Sequence, residues 1–245
     1  MRKSLATAML VTAGVTTACG RVDASSGDSG PAVSRSYQVG NFTELELAGA
    51  YDVDVKTGPA VSVSARGPEK MIERLVVEVK GNKLLIHPEK QKGWFNMGWT
   101  RNSEKVQVTV TVPSLEAATL AGSGVIAIDK VQGERFDGQI AGSGNLRLGA
   151  VAVNSLKLGI AGSGGASAGG GKARSAEYEI AGSGGVDGGK VAVEDLKISI
   201  AGSGDVKANA TRTADVDIMG SGDVVLTGGA KCSVSKAGSG DVRCS

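Results

Sequence analysis

The sequence predicts an all-β chain: a right-handed parallel β-helix, or a closely related β-solenoid, with repeats of 18–20 residues. Three observations lead there. First, Ala-Gly-Ser-Gly begins at Ala121, Ala141, Ala161, Ala181, Ala201 and Ala237, with a variant opened by Met219, so the intervals are 20, 20, 20, 20, 18 and 18. Self-similarity at a fixed period marks units that bury their apolar faces against each other. Second, apolar and polar residues alternate on both sides of each copy. Leu120, Ile140, Ile160, Ile180, Ile200 and Ile218 precede the first Gly by two, and Ile126, Leu146, Ala166, Val186, Val206, Val224 and Val242 follow it by four. That period of two belongs to strands with one inward face. Third, the 245 residues include 38 Gly but only 3 Phe, 2 Trp and 3 Tyr. Gly is at about twice its usual share of roughly 7%, and the core is thin, made of Val, Ile, Leu and Ala.

Residues 1–18 read as a signal peptide. Arg2 and Lys3 form a charged start, and Leu5–Ala18 is uncharged and too short to span a bilayer. The small residues before Cys19 resemble a bacterial lipobox, which predicts lipidation of Cys19. A lipobox has Leu three residues before the Cys, where this chain has Thr16. Thr16 and Ala18 also suit ordinary signal peptidase cleavage. Residues 19–36, rich in Gly, Ser, Asp and Ala, read as a flexible tether. The protein is therefore expected to be exported to the bacterial cell envelope, in the periplasm or at the outer membrane or cell surface, with a lipid anchor as its membrane contact. Lys and Arg total 27 against 25 Asp and Glu, and removing Arg2 and Lys3 leaves the signs equal. No electrostatic footprint for nucleic acid remains.

Residues 37–113 are the irregular part of the predicted domain 37–245. Leu45–Val55 looks like a degenerate repeat, and Val61 and Val63 alternate as a short strand. Pro68–Arg74 suits one helical segment with Pro near its start. Lys80-Gly81-Asn82-Lys83 divides Val76–Val79 from Leu84–Ile86 as a two-residue hairpin would. Val106, Val108, Val110 and Val112 alternate into Pro113. This part is expected to start the solenoid irregularly and cover its first coil. Residues 114–245 hold the repeats, each read as strand, Gly-Ser-Gly bend, strand and second turn.

The segment LAGAYDVDV, the junction VTVTVPSLEAATLAGSG and the serial AGSG copies make Tyr37–Ser245 resemble the bacterial auto-transporter adhesin, head GIN domain family, a domain of unknown function. The resemblance implies a β-helical envelope protein and supplies no catalytic residues.

Chemistry-bearing groups are few. Cys232 and Cys244 flank the last copy at inward positions of one coil, and an exported address favours a disulfide between them. Asp205, Asp223 and Asp241 follow Gly-Ser-Gly in the last three copies, and parallel stacking sets them ~4.8 Å apart in a column. Such a column either holds a cation such as Ca2+ or spends each carboxylate on its own bend, offset by Lys207 and Arg243. Trp94, Phe95 and Trp99 sit between Lys-rich flanks outside the repeats. They either anchor a partner or fold back over the apolar end of the solenoid. One His, His87, excludes a His-rich metal site, and Gly162–Lys172 lacks the Ser or Thr after Lys that a P-loop needs. No cofactor and no enzymatic activity are expected. The leading expectation is a binding or structural envelope protein whose partner is a macromolecule, a polysaccharide or a second copy. The rivals are a polysaccharide-acting β-helical enzyme and a pure spacer.

Overall fold

The computed structural model describes residues 31–89 and 105–245. In chain order these form β1 (Ala32–Tyr37), β2 (Glu44–Gly49), β3 (Asp52–Thr57), β4 (Ser62–Pro68), α1 (Glu69–Glu73), β5 (Leu75–Lys80), β6 (Lys83–Pro88) and β7 (Gln107–Val112). There follow β8 (Ala117–Gly122), β9 (Val125–Gly142), β10 (Asn145–Gly162), β11 (Gly165–Ala168), β12 (Gly171–Gly182), β13 (Gly185–Gly202), β14 (Asp205–Gly220), β15 (Val224–Thr227), β16 (Lys231–Gly238) and β17 (Val242–Cys244). All strands join one hydrogen-bonded sheet wound into the stacked coils of a β-solenoid.

The repeats stack in register. Gly122 pairs in turn with Gly142, Gly162, Gly182, Gly202, Gly220 and Gly238, through parallel ladders from β8 to β16. These first glycines of the motif carry φ between 126° and 137°, a region L side chains avoid. A Cβ at Gly182 would strike the carbonyl oxygen of Gly162 one coil below, and that oxygen already accepts the Ser183 amide at 2.9 Å. Gly is thus needed there twice over, for conformation and for closeness.

Each coil has three faces where the sequence suggested two strands and a turn. Along β9 and β10 the ladder breaks at Asp129/Gly149 and again at Glu134/Asn154. Between the breaks Val131 and Val151 point inward, as does Val191 two coils on. The supposed second turn is therefore a short strand. Shortening the repeat to 18 residues falls in this region: register shifts separate Gly188/Ala192 and Val193/Asp195 in the β13–β14 ladder. The remaining columns keep their facing, so Ile200 still sits on Ile218.

The core follows these columns. Leu120, Ile140, Ile160, Ile180, Ile200 and Ile218 are all at most 3% exposed. In the coil whose inward positions shrink to Ala166, Ala168, Ala173 and Ala176, Tyr178 supplies the bulk and is fully buried. Its ring and hydroxyl occupy the space that a side chain at Gly188 would need. The Tyr178 hydroxyl is buried without a hydrogen-bond partner, which costs about 1–3 kcal/mol. Tyr178→Phe is therefore expected to raise stability by about 1 kcal/mol, read as a higher urea midpoint. Burial also pushes the phenol well above its ordinary value of 10.0. Stability from this group is complete below pH 10 and falls as pH rises above it, because the unfolded phenol releases its proton first. The Phe variant should lose that part of the alkaline decline.

The N-terminal part is ordered differently from the chain. β2 lies between β6 and β8, and β3 between β7 and β9, all parallel. Leu45–Val55 is therefore a true coil, with Gly49 on Gly122, but it stands second in the stack. The outermost coil comes from β6 and β7, later in sequence. From β7 the chain steps over the β2–β3 coil into β8. The far side of this outer coil is covered by antiparallel strands, β5 on β6 and β4 on β7, with β1 on β4. The β5–β6 hairpin turns at Gly81-Asn82, with Lys80 opposite Lys83, and α1 buries Ile72. β1 takes up residues 32–36, which sequence composition had assigned to the tether. Its pairing with β4 draws them into the sheet despite their polar character.

At the other end, β16 pairs with β14 and β17 with β15. Cys232 and Cys244 form a disulfide with Cα atoms 6.7 Å apart. Having a neighbour on one side, the last coil is not closed. Cys244 is exposed, Cys232 half-buried, and Val234 is 48% exposed although its column is buried in earlier coils. Lys236 takes the place of the inward Ile, and its Nζ donates to the Gly240 carbonyl at 2.6 Å. In lower coils the equivalent carbonyls of Gly124, Gly144 and Gly164 accept amides of the next coil, from Asn145, Gly165 and Gly185. The ammonium thus stands in for a backbone donor. Reducing the disulfide, or replacing both cysteines by Ser, should cost up to about 3 kcal/mol. Faster hydrogen exchange is expected from about Lys231 onward, with the middle coils still protected.

Candidate functional site

Cys19, Trp94, Phe95 and Trp99 lie outside the described residues. The aspartate column is present, but it is a capping ladder. Asp205 Oδ1 accepts the Asp223 amide at 3.1 Å, and Asp223 Oδ1 accepts the Asp241 amide at 2.8 Å. Asp205 and Asp223 each cap the bend of the next coil, not their own as the sequence suggested. The carboxylates do not converge, and among the described residues no three His, Cys, Asp or Glu side chains are grouped to hold a metal. The Ser hydroxyls of the motif are exposed, and it is the Ser amides that bind, as in Ser143 N–H to Gly122 O at 2.9 Å. His87 places Nε2 3.3 Å from Glu78 Oε1 and Nδ1 2.9 Å from the Pro88 carbonyl. Among the described residues its hydrogen bonds include no serine.

Two columns on the face leading into the bend carry the charge. Asp137, Lys157, Glu177, Lys197 and Asp215 stand in register, one per coil, with alternating sign. In a parallel stack equal residues face each other, so alternation replaces repulsion with attraction above and below. Lys157 Nζ lies 3.2 Å from Glu177 Oε2 and 3.0 Å from Glu179 Oε2, and Lys197 Nζ lies 3.7 Å from Glu177 Oε1. Hydrogen bonds from Lys157 hold the Glu177 carboxyl below its ordinary range, and those to Glu179 and Glu177 hold the Lys157 ammonium above its own.

Beside this ladder runs a groove of about 590 Å3. Its floor is the outward Ala of the motif, Ala141, Ala161, Ala181 and Ala201, closed at one end by Met219. Met219 is 71% exposed, the most exposed large hydrophobic among the described residues. Gln139, Gly159, Glu179, Ser199 and Asp217 form one wall. The floor is low because the residue before each bend points outward and is Ala in copy after copy. The sequence carried this signal in the motif itself, where the glycines drew attention away from the alanine. A second, more polar depression of about 330 Å3 lies past the bend, where Gly165 and Gly185 leave a gap between Asn145 and Asp205.

Solved structures share the fold. The chain is similar to a "putative adhesin" from Bacteroides fragilis, at 22% identity and TM-score 0.76, covering 88% of this chain and 97% of that one. It is similar to a "putative lipid binding protein" from Parabacteroides distasonis, at 24% identity and TM-score 0.70, covering 88% and 97%. A "putative adhesin" from Parabacteroides distasonis matches at 20% identity and TM-score 0.70, covering 88% and 98%. No protein with a curated description matches the chain. Residues 41–230, most of the solenoid described above, match the family described as "Putative auto-transporter adhesin, head GIN domain", and the chain belongs to that family.

Proposed function

We propose that this protein is a non-enzymatic binding domain of the bacterial cell envelope, exported, tethered by a lipid on Cys19, and binding a macromolecular partner through the alanine-floored groove. The observation that carries the reading is the groove itself: a continuous apolar strip across successive coils, lined by polar side chains. A contiguous apolar surface rimmed by polar groups is what a binding site for another molecule looks like. The family's adhesin description and the export signal read in residues 1–19 support the same role. Polysaccharide cleavage would require an acid and a base converging on one cleft, whereas of the groove's carboxylates Glu179 is held by Lys157 and Asp217 stands two coils away.

Mass spectrometry of the mature N-terminus from native envelope is expected to find an acylated Cys19. An unmodified Cys19 removes the lipid and leaves export. Crosslinking in intact envelope is expected to link the wild type to a partner and to fail for Ala161→Arg at unchanged melting temperature. Undiminished crosslinking overturns the groove. Turnover of a uronate polymer by the purified chain overturns the non-enzymatic reading.

A further inference from the structure

We infer that the groove takes one extended polypeptide segment in which apolar residues alternate with Lys or Arg. The inference rests on the groove being the binding site and names its occupant. Length comes first. The wall runs from Thr119 to Asp217 across successive coils, five rises of ~4.8 Å or about 24 Å, the span of about seven extended residues at 3.3–3.6 Å each. Width comes next. On each coil the lining spans three consecutive strand residues, such as Gln139, Ile140 and Ala141, about 7 Å along the strand. One extended chain fits, and an α-helix of about 10–12 Å diameter does not.

Charge then selects the occupant. The face carries Asp137, Glu177, Glu179, Asp215 and Asp217 against Lys157 and Lys197. Lys157 is already held by Glu177 and Glu179, while Asp215 and Asp217 have no ion pair among the described residues. Five carboxylates against two ammonium groups leave the face net acidic. Of the two charged wall residues Glu179 is paired with Lys157, and Asp217, without an ion pair among the described residues, lies toward Met219. An anionic lipid headgroup is repelled there. Among the described residues no aromatic ring lines the groove, and a sugar ring meets no stacking platform from them. A segment with small apolar residues on the alanine floor and ammonium or guanidinium groups reaching the rim satisfies both features.

The test uses the full mature chain and three labelled octapeptides, Lys-Val, Glu-Val and Lys-Ser repeats, followed by fluorescence anisotropy. Lys-Val is expected to bind at least about tenfold more tightly than either control, and to weaken as salt rises, because the contacts are at an exposed rim. Ala161→Arg and Asp217→Lys should each weaken it by about tenfold or more at unchanged melting temperature. Equal binding of Glu-Val, or Lys-Val binding unmoved by Ala161→Arg, overturns the occupant. If the groove variants abolish envelope crosslinking but leave Lys-Val binding unchanged, the occupant assignment fails and the groove stands. If they change neither, both fall. Preferential binding of anionic vesicles through the same residues also overturns the inference.

Discussion

Ile160→Asp is expected to abolish the folded state at room temperature. Ile160 is 3% exposed and sits in register between Ile140 and Ile180. Truncating such a side chain costs about 2–5 kcal/mol, and an unpaired carboxylate among apolar neighbours adds several more. The sum reaches the whole stability of an ordinary domain, about 5–15 kcal/mol. Lys157→Asp, on the same strand but facing outward, replaces an ion-paired cation by a like charge beside Glu177. The site is solvent-facing, so a small fall in melting temperature is expected and the fold is retained. Circular dichroism and thermal melts separate the two outcomes, and equal loss in both would contradict the inward register.

Gly182→Ala is expected to be nearly as damaging, and Gly185→Ala, three residues on, to be harmless. Gly182 has φ 130°, where an L side chain costs about 1–3 kcal/mol. Its Cβ would also meet the Gly162 carbonyl, which holds the coils together. The neighbouring coil cannot retreat without loosening its own ladder. Gly185 has no positive φ, and a Cβ there makes only ordinary contact at 3.4 Å with the Asp205 carbonyl. Ala at 185 should leave stability unchanged or raise it by about 0.4–1 kcal/mol through the unfolded chain. A melt comparison of the two variants checks this. Equal tolerance of both would mean that the motif glycines serve something other than coil spacing.

Particular residues show what the sequence could and could not reveal. The Ile140-to-Ile218 column, the Gly122-to-Gly238 bends and the Cys232–Cys244 pair were legible because each rests on spacing within one copy or on identity between copies, and the Gly81-Asn82 hairpin because its turn chemistry is local. The third face was not. Val131 and Val151 belong to segments of about four residues, too short for a period of two to separate strand from turn. The inward placing of Cys244 was misjudged, because a column argument assumes a coil on both sides. Which amide each Asp caps depends on the coil above, not on local chain. The groove was half legible: its alanines are in the motif, but whether a position faces out matters to function only once stacking has made a surface of it.

The displaced β2–β3 coil has a bearing on the order in which the molecule assembles. Downstream, each coil closes on the repeat just before it, with partners about one repeat apart in sequence, and such near-local pairing nucleates early. The β2–β3 coil must instead wait for β6 and β7 on one side and β8 on the other. These early strands of the described chain are therefore among the last to find all their partners. The N-terminal region would close like a clasp over a stack that has already zipped up, and a chain interrupted before β8 would be left with an open, adhesive edge.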